Sequence, residues 1–278
     1  MHLGYNTNGL AHHGLPAAIE LLASLGYRSV AITLDHGALN PYGEHFQREL
    51  AATAELLAKH GMRSVVETGA RFLLNPREKH EPTLVSAAED DRLRRLDFLR
   101  RAVDAAAALG SDCVSLWSGV VRHSGGRDEA MWHLRSGLQR VLEYAEQRGV
   151  LVGFEPEPGM LIDTMDAMAE LVDRVDSPAL QLTLDVGHLH CQGETPIADV
   201  IRRWAPLLVN VHIEDMRAGV HEHLMFGEGE IDFPPVIAAL VEAGYDGGVH
   251  VELSRHSYEG PAAAKRAYDF LSPLLRNA

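Results

Sequence analysis

The chain has 278 residues, of which 46% are hydrophobic and 23% are charged, a composition typical of a globular protein with a large core. Its formal net charge of −14 would repel a phosphate backbone, which argues against a nucleic-acid partner. The sequence contains no apolar run long enough to span a membrane and opens with no export signal. Cys113 and Cys191 lack the spacing of a zinc site or disulfide framework, so we expect a cytoplasmic protein without a membrane partner.

Short apolar runs alternate with longer amphipathic segments along the chain, a pattern typical of repeated strand and helix units. The eight predicted strands are Leu3 to Asn6, Ser29 to Thr33, Arg63 to Glu67, Cys113 to Trp117, Leu151 to Glu155, Gln181 to Asp185, Leu208 to His212 and Gly248 to Glu252. The predicted helices are Leu15 to Leu25, His45 to His60, Glu89 to Leu109, Glu129 to Arg148, Met165 to Val175, Pro196 to Trp204, Pro234 to Ala243 and Pro261 to Leu275. This alternation predicts an α/β protein, a single (β/α)8 TIM barrel over residues 1–278.

Two kinds of connection support this assignment. A glycine follows several predicted helices, as expected for a residue that ends a helix in the left-handed conformation. These positions are Gly26, Gly61, Gly110, Gly149 and Gly244. The longest connection from strand to helix, Gly69 to Ala88, contains apolar residues alongside charges, so we expect an ordered loop near the active site.

Strong metal-ligating residue types stand at the ends of the last four predicted strands. Glu155 ends the fifth strand, Asp185 the sixth, His212 the seventh and Glu252 the eighth. A parallel barrel brings these strand ends to one mouth. A single carboxylate there would most often cap the next helix or form a salt bridge, but four consecutive strand ends favour a shared divalent-metal site.

Three carboxylates and one imidazole form an oxygen-rich ligand set. Such a set suits Mn²⁺, Mg²⁺ or Co²⁺, and Zn²⁺ is also compatible with it. A cation is needed because buried, unpaired carboxylates would otherwise become protonated. We expect one ion, with Mn²⁺ the first candidate.

The order of these residues resembles the xylose-isomerase-like TIM-barrel superfamily, which includes sugar isomerases, ketose 3-epimerases, inosose dehydratase and endonuclease IV. The resemblance covers essentially the whole chain. In the ketose 3-epimerases the metal is held by Glu, Asp, His and Glu from strands five to eight. The resemblance therefore implies that Glu155, Asp185, His212 and Glu252 are the metal ligands.

The same resemblance implies catalytic and substrate-binding roles for particular residues. Glu155 and Glu252 would act as the catalytic acid/base pair on opposite faces of a metal-chelated hydroxyketone, through an enediolate. His188 and Arg217 would bind substrate oxygens. The implied activity is that of an isomerase or epimerase of a small sugar, polyol or hydroxyketone.

Glu157 separates this chain from xylose isomerase, which is similar in its metal site but has a Lys two residues after the fifth-strand Glu. This departure argues against a hydride-shift aldose isomerase. A dehydratase is an alternative, for which Glu157 or His188 would supply the additional acid. A non-catalytic metal-binding or sugar-binding barrel is a further alternative, because ligand residues alone do not prove turnover.

A second histidine group precedes a Gly-x-Gly turn that is common in the superfamily. Resemblance to endonuclease IV implies that His221 and His223 could join His188 around a second metal ion. The strand-three and strand-four histidines of that nuclease are missing, because this chain has Glu67 and Trp117-Ser118 there. We favour one ion, with His221 and His223 binding substrate hydroxyls and Trp117 forming an apolar wall.

Basic residues follow the third predicted strand. Arg71, Arg77, Lys79 and His80 could bind a substrate phosphate or carboxylate, or could form surface salt bridges. The expected partner is a small-molecule substrate, and a homo-oligomer is compatible with the sequence.

Overall fold

The computed structural model describes residues 1–122 and 124–277, in which strands and helices alternate along the chain. The strands are β1 (His2–Asn6), β2 (Ser29–Thr33), β3 (Arg63–Glu67), β4 (Val114–Leu116), β5 (Val152–Phe154), β6 (Leu180–Asp185), β7 (Leu208–Ile213), β8 (Asp215–Arg217), β9 (Val220–Leu224) and β10 (Gly248–Val251). The α-helices are α1 (Leu15–Leu25), α2 (Phe46–His60), α3 (Glu89–Leu109), α4 (Gly126–Glu146), α5 (Met165–Arg174), α6 (Val186–Cys191), α7 (Ile197–Trp204), α8 (Phe233–Glu242) and α9 (Gly260–Asn277).

The parallel strands form a closed barrel in the order β1-β10-β7-β6-β5-β4-β3-β2. Closure occurs between β1 and β10, where His2 pairs with Gly248 and Tyr5 pairs with Val251. The helices surround the barrel, which confirms the predicted (β/α)8 fold. No helix in the described ranges combines the length and apolar character needed to cross a bilayer.

Alternation along the strands separates the barrel interior from the layer beneath the helices. Val30 and Val66 belong to the main apolar core, whereas Ala31 and Val65 form a small separate cluster with Cys113. Since successive side chains point to opposite faces, Glu67 lies on the same face of β3 as Val65. The strand pattern therefore aims Glu67 into the barrel.

All five glycines predicted at helix ends have positive φ angles: Gly26 (105°), Gly61 (60°), Gly110 (63°), Gly149 (64°) and Gly244 (67°). The first three cap α1, α2 and α3, whereas α4 and α8 are capped by Gln147 and Ala243, shortly before Gly149 and Gly244. At Gly26 the backbone N–H donates to Ala23 and Leu22 carbonyls and ends α1. This left-handed conformation is strained for residues with a Cβ, which explains why glycine occupies the position.

Helix α6 and the strands β8 and β9 were not predicted. Helix α6 starts directly after Asp185, whose carboxylate accepts a hydrogen bond from the backbone N–H of His188. Strands β8 and β9 form an antiparallel hairpin where the sequence indicated a loop. The hairpin turns at Gly219, which has φ 70°, and carries His221 and His223 on its second strand.

Candidate metal and active site

The four predicted ligands meet at the carboxyl end of the barrel. Ligand atoms of Glu155, Asp185, His212 and Glu252 lie within 4.8 Å of one another. His212 Nδ1 is 3.0 Å from Glu155 Oε1, 3.0 Å from Glu252 Oε2 and 4.0 Å from Asp185 Oδ2. Strands β5, β6, β7 and β10 thus converge on one centre, as the sequence pattern indicated.

The opposite edge of the His212 ring faces Glu67, at the end of β3. Glu67 Oε1 lies 2.9 Å from His212 Nε2, and both residues are buried. Although burial lowers the pKa of His212, the charges of Glu155, Glu67 and Glu252 raise it well above its ordinary value. A cation at the centre would displace the Nδ1 proton, so that Nδ1 presents its lone pair to the centre while Nε2 donates to Glu67. A carboxylate in this position fixes the tautomer and orientation of a metal-ligating histidine.

A series of buried, hydrogen-bonded side chains inside the barrel contacts Glu67 and His212. Burial lowers the pKa of His250 to about 3, so its ring is neutral. His250 Nε2 is 2.8 Å from Ser29 Oγ, and Nδ1 is 2.8 Å from Asn210 Oδ1. With Oδ1 occupied, the Asn210 amide nitrogen faces His212 Nε2 at 3.1 Å and Glu67 Oε1 at 3.3 Å.

Gly4 makes room for the His250 ring. A Cβ atom at Gly4 would lie 2.3 Å from His250 Cδ2, well inside any permitted contact. The β1 backbone therefore approaches the imidazole directly, and the absence of a side chain at Gly4 lets His250 keep its contacts with Ser29 and Asn210.

The two glutamates proposed as acid and base have opposite pKa shifts. Burial raises the pKa of Glu155 to about 8, although the nearby His212 opposes the shift. Burial would also raise the pKa of Glu252, but the charge and hydrogen bond of His212 outweigh it and hold that pKa below its ordinary value. Asn8 contributes by donating from Nδ2 to Glu252 Oε1 at 2.8 Å.

The donor set fits a divalent cation. Asp185 Oδ2 is fully buried and has no hydrogen-bond partner among the described residues. An unpartnered buried carboxylate oxygen is costly unless a cation balances it. With Glu155, Glu252 and His212 Nδ1 beside it, the group offers the oxygen-rich ligands that Mn²⁺ or Mg²⁺ accepts and that Zn²⁺ tolerates.

The second histidine group is also assembled. His188, His221 and His223 have ligand atoms within 4.8 Å of one another, and His188 Nε2 lies 3.1 Å from His221 Nε2. Burial lowers the pKa of His188 to about 4 and also lowers that of His221, so both rings are neutral near pH 7. Glu157 lies 3.9 Å from His188 Nε2 and 3.7 Å from His221 Nε2.

Most of these groups line one cavity of about 390 Å³ at the mouth, a size that suits a small ligand: Glu155, Glu157, His212, His221, His223 and Glu252. Trp117 forms part of its wall, with the Arg95 guanidinium 4.7 Å from the ring centre. Arg217 lies outside the described lining: it is exposed on β8 and donates to the Glu228 carbonyl at 3.0 Å. Two of the residues predicted to bind substrate are therefore absent from the described lining of the cavity. Arg217 lies away from it, whereas His188 contacts His221, which lines it.

Sequence reasoning assigned no site role to Glu67, Asn8, Asn210 or Glu214. Glu214 is fully buried beside Asp185, and burial and the Asp185 charge raise its pKa well above the ordinary value. Glu67 and Glu214 each carried a signal, because each is a carboxylate at a strand end, Glu67 in β3 and Glu214 directly after β7. Asn8 and Asn210 act through contacts between distant segments that no spacing in the sequence reveals.

A closed parallel barrel with a carboxylate and histidine cluster at its carboxyl mouth defines the class of protein: a TIM barrel with a candidate metal site. Residues 19–274 match the family model described as xylose isomerase-like TIM barrel. The chain belongs to this family.

Two curated relatives match part of the chain. An uncharacterized protein of Methanocaldococcus jannaschii is 31% identical over 60% of this chain and 59% of its own length. The L-ribulose-5-phosphate 3-epimerase UlaE of Salmonella paratyphi C is 26% identical over 69% of this chain and 68% of its own length. The match therefore spans less than two thirds of the archaeal relative.

Solved structures share the fold over the whole chain. A D-tagatose 3-epimerase-like protein superposes with a TM-score of 0.78 at 23% identity, covering 100% of this chain and 99% of its own. The IOLI protein, crystallised with a zinc atom, superposes with a TM-score of 0.80 at 20% identity and the same coverage. At these identities the likeness establishes the fold.

Proposed function

We propose that this chain is a divalent-metal-dependent epimerase or isomerase of a small ketose or related hydroxyketone. The observation that carries the proposal is the position of Glu155 and Glu252, each with one oxygen 3.0 Å from His212 Nδ1. Two carboxylates therefore face one centre from different strands. The relatives described as sugar 3-epimerases support the same reaction class.

We assign Glu155, Asp185, His212 and Glu252 as the ligands of one ion, with Mn²⁺ as the first candidate and Mg²⁺, Co²⁺ or Zn²⁺ as alternatives. When bound, the ion would polarise the substrate carbonyl and make the neighbouring C–H proton more acidic. Asp185 and His212 would only hold the ion. Glu67 would fix the His212 ring so that Nδ1 faces the centre.

Glu155 and Glu252 would move the proton. One glutamate removes the C–H proton from one face of the substrate, and the other delivers a proton to the opposite face, which inverts the carbon. The position of one oxygen of each glutamate 3.0 Å from His212 Nδ1 supports this exchange, because both carboxylates face the same centre.

The remaining mouth residues would bind the substrate. His188 and His221 are neutral near pH 7 and can each donate one hydrogen bond and accept another, which suits sugar hydroxyls. Glu157, His221 and His223 line the cavity at the mouth of the barrel, where Trp117 offers an apolar face.

A dehydratase is the second candidate, and Glu157 is the observation that favours it. Burial and the charge of Glu155 raise the pKa of Glu157 well above its ordinary value, so the group can hold a proton for a leaving hydroxyl. Loss of water from a keto-polyol, detected by mass spectrometry and abolished in Glu157→Gln, would favour this activity over epimerisation.

The test of the proposed function uses the purified protein with Mn²⁺ and a panel of ketoses and their phosphates. We expect one substrate pair to interconvert, activity to disappear with a chelator, and activity to return when Mn²⁺ is restored. Full activity in the presence of the chelator, or no interconversion of any ketose by the metal-loaded protein, would contradict the proposal.

A further inference from the structure

The loop from Gly69 to His80 closes on itself at the rim of the cavity. The Arg71 backbone N–H donates to the Gly69 carbonyl at 2.7 Å, and the His80 N–H donates to the Arg71 carbonyl at 2.6 Å. His80 Nδ1 is also 2.6 Å from the Gly69 carbonyl. These bonds bring the two ends of the loop together, and both Arg71 and Lys79 line the cavity.

The loop stores backbone strain at its closing point. Ala70, Arg71 and His80 have φ angles of 57°, 41° and 70°, a left-handed region that non-glycine residues seldom occupy. Ala70 is fully buried and Leu74 is nearly so, which anchors the strained segment. Such strain persists where surrounding contacts enforce it, and it concentrates at ligand-binding segments. The conformation therefore fixes the backbone at Arg71, from which the side chain extends into the cavity lining.

Two of the three cationic side chains in this loop, Arg71 and Lys79, line the cavity and have donors that no described residue accepts from. Within the described residues, the Arg71 guanidinium makes no hydrogen bond, and its ion-pair partner Asp35 lies 3.7 Å away. Lys79 has no hydrogen bond or ion pair to any residue described. On the other rim, Arg255 is already paired with Glu222. An anion entering the cavity therefore finds unoccupied donors on the Arg71 side.

The surrounding space has room for an anionic group. Arg71 and Lys79 line the same cavity as Glu155 and Glu252. Arg71 also lines a smaller adjoining cavity of about 70 Å³ that shares Asn8 with the first. A substrate held at the glutamates could thus extend its far end to the junction of the two cavities.

We propose that Arg71 and Lys79 form a subsite for a terminal anionic group, a phosphate ester or a carboxylate, on the substrate. This inference rests on the proposed function and specifies its substrate class. Arg offers a planar fork that matches either anion, and Lys adds a point charge. In a chain of net charge −14, with acidic groups on the cavity floor, such local cations offset the repulsion of an anionic substrate.

The subsite would also contribute to turnover. Contacts with a non-reacting part of the substrate position the reacting carbon between the acid and the base. His80 would add no charge, because burial lowers its pKa to about 4, but its Nε2 can accept a bond from a substrate hydroxyl. Recognition would then combine two cations at the rim with neutral imidazoles nearer the centre.

The kinetic test compares L-ribulose, L-ribulose 5-phosphate and D-fructuronate with the Mn²⁺-loaded protein. We expect a higher kcat/KM for the phosphate or the carboxylate than for the neutral ketose, and the better of the two identifies the anion. Arg71→Gln and Lys79→Gln should each lower that kcat/KM by about 10- to 100-fold and should lower the kcat/KM of the neutral ketose by a clearly smaller factor. Arg77→Gln is the matched control, since Arg77 is exposed in the same loop and lies outside the described lining.

A preference for the neutral ketose, or an equal effect of the variants on all three compounds, would overturn the inference. A binding measurement separates this failure from failure of the proposed function. Inorganic phosphate is titrated by ³¹P NMR in the presence of a chelator, so that no metal can bind it. Binding that is lost in the Arg71→Gln/Lys79→Gln variant supports the subsite even if no ketose turns over. No binding to the wild type, or equal binding to both proteins, contradicts it.

Discussion

Replacing Glu67 with Gln tests how the barrel orients His212. The substitution keeps the shape of the side chain and removes its negative charge, in a residue that is 7% exposed. Glu67 Oε1 lies 2.9 Å from His212 Nε2, whereas the Asn210 amide nitrogen lies 3.1 Å away. Without the carboxylate, Asn210 can donate to Nε2, which moves the ring proton to Nδ1 and blocks the atom that faces the centre.

The expected loss of metal affinity follows from this competition. Partners of metal-ligating histidines typically contribute 10- to 100-fold in affinity, or about 1.4 to 2.7 kcal/mol. Since Gln keeps an acceptor oxygen, we expect Glu67→Gln to weaken Mn²⁺ binding by about tenfold, near the lower limit. Competition with a fluorescent chelator measures the affinity, and thermal unfolding establishes that the variant is folded. Glu129→Gln, exposed on α4, is the control. Mn²⁺ affinity of Glu67→Gln within twofold of the wild-type value would refute the assigned orientation.

Three further predictions concern stability, metal content and the nuclease alternative. Gly4→Ala should lower the free energy of unfolding by about 1–3 kcal/mol because its Cβ would overlap His250, and unchanged stability in denaturant titration would contradict the assigned packing. Metal analysis should find one Mn²⁺ per chain in both the wild type and His221→Ala; a second ion lost in the variant would assign the histidine group to metal binding. Duplex DNA with an abasic site should stay intact, and cleavage that depends on Glu155 would instead establish a nuclease.

The barrel was predictable because its signals are local. Each strand is a short buried run, and glycines such as Gly26 and Gly61 mark helix ends by a conformation that depends only on the residue itself. The hairpin was missed because β9 carries polar and histidine residues, without the alternation of a half-buried strand. Helix α6 has six residues, too few for a helical period to appear.

Some residues of the candidate site were likewise predictable from the sequence, and others were not. Glu155 and Glu252 could be predicted as site residues because a parallel barrel brings all strand ends to one mouth. A position at the end of a strand is therefore enough to place a residue there. Glu67 contacts His212 across the barrel, between strands that are not neighbours in the sheet. Asn8 reaches Glu252 only because β1 closes the barrel against β10. Such pairings depend on curvature and side-chain rotamers, which a single sequence does not specify.

Deuterium incorporation at the inverted carbon during turnover in D₂O tests the proton transfer by Glu155 and Glu252 directly. We expect the Mn²⁺-loaded wild type and Glu129→Gln to place solvent deuterium at that carbon. Glu155→Gln and Glu252→Gln should each lower the rate by about 100-fold or more, because each removes one of the two proton-transferring groups. Interconversion without deuterium at that carbon, or full activity of either glutamine variant, would contradict the assignment of Glu155 and Glu252 as the acid/base pair.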